Sequence, residues 1–151
     1  MKTLLDPEVL LDICNRLDRI TPASPRGWGR MTPHQMVCHL NDSFRLALGE
    51  RTASPGNAPL PPAILKVIAL RLPLPWPQNY ATRPEMDQLI TGTPPAEFAA
   101  DIALLRSLLH RFADPHLSAF APHPVFGTMS SWEWRRWGFL HADHHFRQFG
   151  L

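Results

Sequence analysis

The segment HADHHFRQFGL places His141, His144 and His145 within five residues of one another. Neutral imidazole is a common ligand for divalent metals, and two histidines one helical turn apart can address a single point. At about 100° per residue, His145 falls roughly 40° from His141 around a helix, and His144 roughly 60° away on the other side. His141 with His145 is the better pair, and His144 is an alternative to His145 that would sit nearer a bundle's edge. A third imidazole comes from MVCHLNDSF, where His39 shares a face with Met36, Ser43 and Leu46, while His34 lies nearly opposite. A histidine in an apolar stripe needs partners for two ring nitrogens. A metal on one and a hydrogen bond behind the other provide them, and so do a carbonyl and a water. Each feature alone is commonplace, but three imidazoles on the inward faces of two helices point to a metal centre.

Four long helices position these residues. The first follows Asp6-Pro7 and carries Leu10, Ile13, Leu17 and Ile20 on one face. The second starts at TPHQ, with Thr32 as cap, Pro33 in the first turn and Gln35 closing a capping box, and runs to about Gly49. The third follows TPPAEF, repeats Phe98, Ile102, Leu105, Leu109 and Phe112 at spacings of four and three, and ends near Asp114-Pro115. The fourth follows MSSWEW, with Ser130 and Glu133 forming another capping box. Most prolines fall between the second and third helices, where a short helix is expected around Ala63 to Leu72. RTASPGNAPLPP reads as loop and PWPQNYATRPE as an extended wrap. No strand is needed, so the chain reads as one all-α domain over 1–151, a four-helix bundle with a long crossover.

Composition narrows the partners. A chain of 151 residues can bury a core without staples. Its 15 basic and 13 acidic residues leave a net charge of +2, too small to imply a nucleic-acid or membrane partner. Cys14 and Cys38 lack close spacing, and the first residues lack a signal-peptide core, so a cytoplasmic protein with reduced thiols is expected. LPPAILKVIALRLPLPWP is too short and too interrupted, at Lys66 and Arg71, to span a membrane. Trp132, Phe139 and Phe146 recur every seven residues on the last helix, about 140–180° from His141. One helix cannot bury both faces in its own bundle, so this stripe needs a cover. The proline-rich connector is one candidate, and a second copy in a homodimer is the favoured one.

One histidine in the second helix, HxxxH in the last and a glutamine three residues later resemble the DinB-like (YfiT-like) metalloenzyme superfamily, in a branch known as a domain of unknown function. The resemblance covers nearly the whole chain through WGRMTPHQMVCHLNDSFRLALGE and HPVFGTMSSWEWRRWGFLHADHHFRQFG. It implies an up-down-down-up bundle in which His39, His141 and His145 hold a divalent metal, usually Zn or Ni, and activities that include thiol-dependent transfer and isomerisation. Three imidazoles leave such an ion an open position, where water or a low-molecular-weight thiol would lose its proton near neutrality. No HExxH supplies a helix-borne base. Asp42, one turn beyond His39, is the best candidate for a catalytic base or a carboxylate behind a ligand, with an exposed helix charge as the plain alternative. Gln35 and Gln148 are candidates to orient ligand N–H groups or to serve as caps. Asp143 points away from His141 and reads as solvated. His123 in PHPVFG sits in a rigid turn, and Trp28 reads as a plug rather than a ligand-stacking ring. The expected function is a metal-dependent transferase or hydrolase acting on a small molecule. The alternative is a binding module without turnover.

Overall fold

A computed structural model describes residues 1–56 and 59–151. It contains five α-helices: α1 (Pro7–Arg19), α2 (Pro33–Ala47), α3 (Pro62–Arg71), α4 (Phe98–Phe112) and α5 (Ser131–Gln148). A 3-10 turn at Pro84–Met86 is the one other helical element among the described residues, and no strand occurs there. The chain is all-α, as its periodicities require. No described helix is long and apolar enough to cross a membrane.

Local chemistry fixes the helix starts. Thr32 and Gln35 form the expected capping box of α2, and Ser130 and Glu133 that of α5. Gln35 is thereby spent as a cap, its Oε1 accepting from the Thr32 N–H at 2.8 Å. The α4 cap is Glu97, whose carboxylate accepts from the Ala99 and Ala100 N–H groups. The connector helix α3 lies one residue earlier than anticipated, with prolines at its entry.

The long helices pack as a ring. α1 and α2 each contact both α4 and α5, and α3 lies on α5. This arrangement is compatible with a four-helix bundle. Its centre is an aromatic cluster in which Phe44 of α2, Phe112 of α4 and Trp137 of α5 meet edge to face. Arg135 of α5 is buried against the end of α4 and donates to the carbonyl of Phe112, its last residue, and to those of Asp114 and Leu117 in the turn that follows.

Two of the three aromatics of the second stripe of α5 are covered from within the chain, and Trp132 stays exposed. Phe146 is fully buried with the Arg16 guanidinium of α1 over its ring, and Phe139 is buried beneath Lys2 and Arg136. Trp132 carries Arg71 of α3. The N-terminal segment and α1 thus cover Phe139 and Phe146, while α3 meets Trp132 only through Arg71. Asp143 is likewise not free. It pairs with Arg16 at 2.8 Å and with Arg147 at 3.0 Å, tying α5 to α1.

Helix α5 approaches its neighbours most closely at Gly138. A Cβ there would lie 2.8 Å from Leu4 Cδ1, 3.0 Å from Phe112 Cε1 and 3.1 Å from Phe44 Cε1, all on fully buried side chains. Overpacking of this kind costs about 1–3 kcal/mol, against about 1 kcal/mol that alanine gains in helix propensity. Gly138→Ala is therefore expected to lower the melting temperature by several degrees in thermal denaturation, and an unchanged or raised value would contradict this packing.

Candidate metal centre

The three histidines chosen from spacing meet. His39 Nε2 lies 3.1 Å from His141 Nε2, and His145 Nε2 lies 3.1 Å from the same atom. One nitrogen from each ring falls within 4.8 Å of the others. His39 and His145 are buried, and His141 is partly so. His144, the alternative, turns away and packs at the edge of Trp28 and against Trp76.

Hydrogen bonds behind the rings decide where the protons are. His39 Nδ1–H donates to the Met86 carbonyl at 2.9 Å. His145 Nδ1–H donates to Gln148 Oε1 at 3.2 Å, and the Gln148 amide in turn donates to the Trp28 carbonyl at 2.8 Å. A neutral imidazole carries one proton, so both Nε2 atoms present lone pairs. His141 Nε2 faces both at hydrogen-bond distance and can donate well to one only. The Nδ1 atom of His141 is buried with no partner among the described residues. Three converging acceptors without enough protons fit a cation, and two of the three rings already have the hydrogen bonds that hold a ligating tautomer.

The electrostatics agree. Burial pushes His141 and His145 well below the ordinary imidazole range, and each is lowered further by the neighbouring histidines. Burial also lowers His39, opposed by its bond to Met86. All three rings are therefore held neutral.

Asp42 does not act as expected for a base. It is fully buried with both oxygens committed, accepting from the Gln88 amide at 3.1 Å and from the Thr93 N–H and hydroxyl at 2.8 and 2.7 Å. Arg51 adds an ion pair at 3.1 Å. Its work is architectural: it ties the connector to α2 on both sides of the segment that brings the Met86 carbonyl to His39. The sequence could not reveal that partner, because a backbone carbonyl has no residue signature. Of the two roles open to Gln148, orienting a ring or capping, the structure shows the first. Its brace shows in the sequence only through the glycines around Trp28, since a Cβ at Gly29, where φ is +76°, would lie 2.4 Å from Gln148 Nε2.

A second group, His34, Cys38 and Asp101, also lies within 4.8 Å. Here the protons suffice. His34 bonds Asp101 at 2.7 Å, and the Cys38 thiol donates to the same oxygen at 3.5 Å. Burial and the Asp101 carboxylate push that thiol up to about 12, so it keeps its proton. Cys14 is also buried and unpaired, as the spacing of the two cysteines implied.

Above the three imidazoles opens a cavity of about 690 Å³. Its walls include Trp28, Trp76, Trp137, Phe126 and His123, and Asp42 is not among them. Trp28 is thus a wall of the chamber rather than a plug. The connector supplies Trp76, held by a bond from its indole N–H to the Ala69 carbonyl at 3.0 Å.

The DinB superfamily model matches residues 10–149. The chain belongs to the DinB superfamily. No curated protein and no solved structure matches it. The matched span takes in all the long helices but the first turn of α1, together with all three histidines.

Neutral ligands do not compete with protons. Three ordinary imidazoles, each half protonated at pH 6.5 but only about a tenth protonated at pH 7.5, would lose about sixfold in metal affinity between the two. With the folded values depressed, affinity for Zn²⁺ measured by competition with a chromogenic chelator is expected to stay level from pH 7.5 to 6.5. A fall of about sixfold would contradict the burial and proton placement described.

Proposed function

We propose that this chain is a divalent-metal-dependent enzyme acting on a small, largely apolar molecule. The observation that carries the reading is the convergence of three Nε2 atoms, two in a fixed tautomer, at the floor of an apolar chamber. His39, His141 and His145 are the proposed ligands, and Zn or Ni suits an all-imidazole set. Such an ion supplies Lewis acidity and brings the pKa of a water or thiol bound to it toward neutrality.

The chain's own residues define the rest. Met86 and Gln148 hold two rings in register, Trp28 and Trp76 screen the site from water, and the chamber's size suits one small substrate. With Asp42 committed elsewhere, no carboxylate among the described residues lines the cavity. This favours a nucleophile that needs no protein base, and a low-molecular-weight thiol is the better choice over water. Transfer of that thiol to an electrophile is the reaction class we infer.

Two measurements test this. His39→Ala, His141→Ala or His145→Ala should each weaken Zn²⁺ binding by more than about 100-fold, whereas His34→Ala should leave it within a few-fold. Full metal retention in His39→Ala would sink the site. The metal-loaded protein should accelerate conjugation of small electrophiles with glutathione, bacillithiol or mycothiol, and chelation should abolish the acceleration. If none of a broad panel reacts while the ion is bound, the protein is a binding module rather than a transferase.

A further inference from the structure

The turn at residues 123–127 stands across the chamber wall, before α5. His123 and Gly127 exchange two backbone hydrogen bonds, His123 N–H to the Gly127 carbonyl at 2.8 Å and the reverse at 2.9 Å, with Gly127 at φ +66°. Two outside contacts pin the turn: Ala121 N–H donates to the Ala47 carbonyl of α2, and Gly56 N–H to the Pro124 carbonyl, both at 2.9 Å. Inside it, the Val125 and Phe126 N–H groups both donate to His123 Nδ1, each at 3.1 Å.

A ring nitrogen that accepts from two N–H groups carries no proton of its own. The tautomer of His123 is therefore set by the backbone, and its single proton sits on Nε2. That atom has no hydrogen-bond partner among the described residues, nor is it sealed among the buried unpaired atoms. The ring lines the chamber that holds His39, His141 and His145. Its faces and edges are fixed by Phe126, stacked at 4.5 Å, and by Trp134 and Trp137, each at 5.5 Å. Burial pushes the imidazole down to about 4, so it remains a neutral donor near pH 7.

The geometry points to His123 as a fixed hydrogen-bond donor that selects, among small apolar molecules entering the chamber, those carrying an acceptor oxygen. This rests on the chamber being the substrate site, and it adds a recognition element separate from the metal ligands. A half-buried N–H whose direction is set by the turn binds an oxygen without the entropy of ordering a mobile side chain, and a ligand lacking the oxygen leaves it unpaired. In this role His123 is a specificity-determining residue.

Two probes of similar shape, acetophenone and ethylbenzene, test it by calorimetry on the wild type and two variants. His123→Asn keeps an acceptor near the Nδ1 position for the turn and loses the distal donor. His123→Gln places an amide N–H close to the Nε2 position. The expected result is that His123→Asn binds acetophenone about tenfold more weakly and ethylbenzene within twofold of wild type, and that His123→Gln recovers most of the loss. Long-range ¹H–¹⁵N spectra should show the His123 proton on Nε2. Equal weakening of both probes would reduce His123 to a staple of the turn and overturn the inference. So would no weakening, a proton found on Nδ1, or a wild type that binds neither probe. Repeating the titrations after chelation separates the two readings: the His123 difference persists without metal, while metal content measured on the same samples reports on the three-histidine site alone.

Discussion

Three converging imidazole nitrogens, two of them each 3.1 Å from the third, with too few protons between them are the constraint on which this molecule's architecture turns. Such a cluster is unfavourable in a bare protein interior, because lone pairs repel and burial denies them water. The fold nevertheless spends considerable structure to build it. His39 comes from α2, His141 and His145 from α5, and the hydrogen bonds behind two of them come from the connector and from the end of α5 itself. Bringing those elements together serves no evident packing purpose that leucines at the same positions would not serve better. A cation reconciles the arrangement with its cost.

The long connector is part of the site rather than a loose crossover. Asp42 anchors Gln88 and Thr93, Arg51 reaches both Asp42 and the Glu85 carbonyl, and between these fixed points Met86 presents its carbonyl to His39. The preceding stretch returns to place Trp76 against His141. The same segment therefore sets a ligand's tautomer and walls the chamber. At the other end, the Trp28 loop is locked to α5 through Gln148, whose backbone carbonyl takes the Gly27 N–H at 2.7 Å while its side chain bridges His145 and Trp28. Changes in either loop would be felt at the histidines.

Much of this was legible in the sequence because it depends on periodicity and capping, which are local. The four long helices, both capping boxes and the inward pairing of His39 with His141 and His145 follow from spacing alone. What escaped was long-range. Asp42 reads as a candidate base, a carboxylate behind a ligand or an exposed charge because nothing local shows that Arg51, Gln88 and Thr93 close over it. Asp143 read as solvated because Arg16 is far away in the chain. The cover of Phe139 and Phe146 on α5, the N-terminal residues and the Arg16 side chain, is not contiguous with them and so left both the connector and a second copy open as covers. Asp42 and Asp143 both have partners on another element, where helical phase gives no information. The resemblance to the DinB superfamily implied a ligand set but carried nothing about the connector.

The central claim is that His39, His141 and His145 together hold one divalent ion. It is tested most directly by anomalous diffraction at the metal's absorption edge, on crystals of protein purified without an affinity tag. The account predicts a single strong peak per chain, within bonding distance of the Nε2 atoms of these three residues. A peak at His34, Cys38 and Asp101 instead, or three histidines packed around no ion in protein supplied with Zn²⁺ and Ni²⁺, would contradict it.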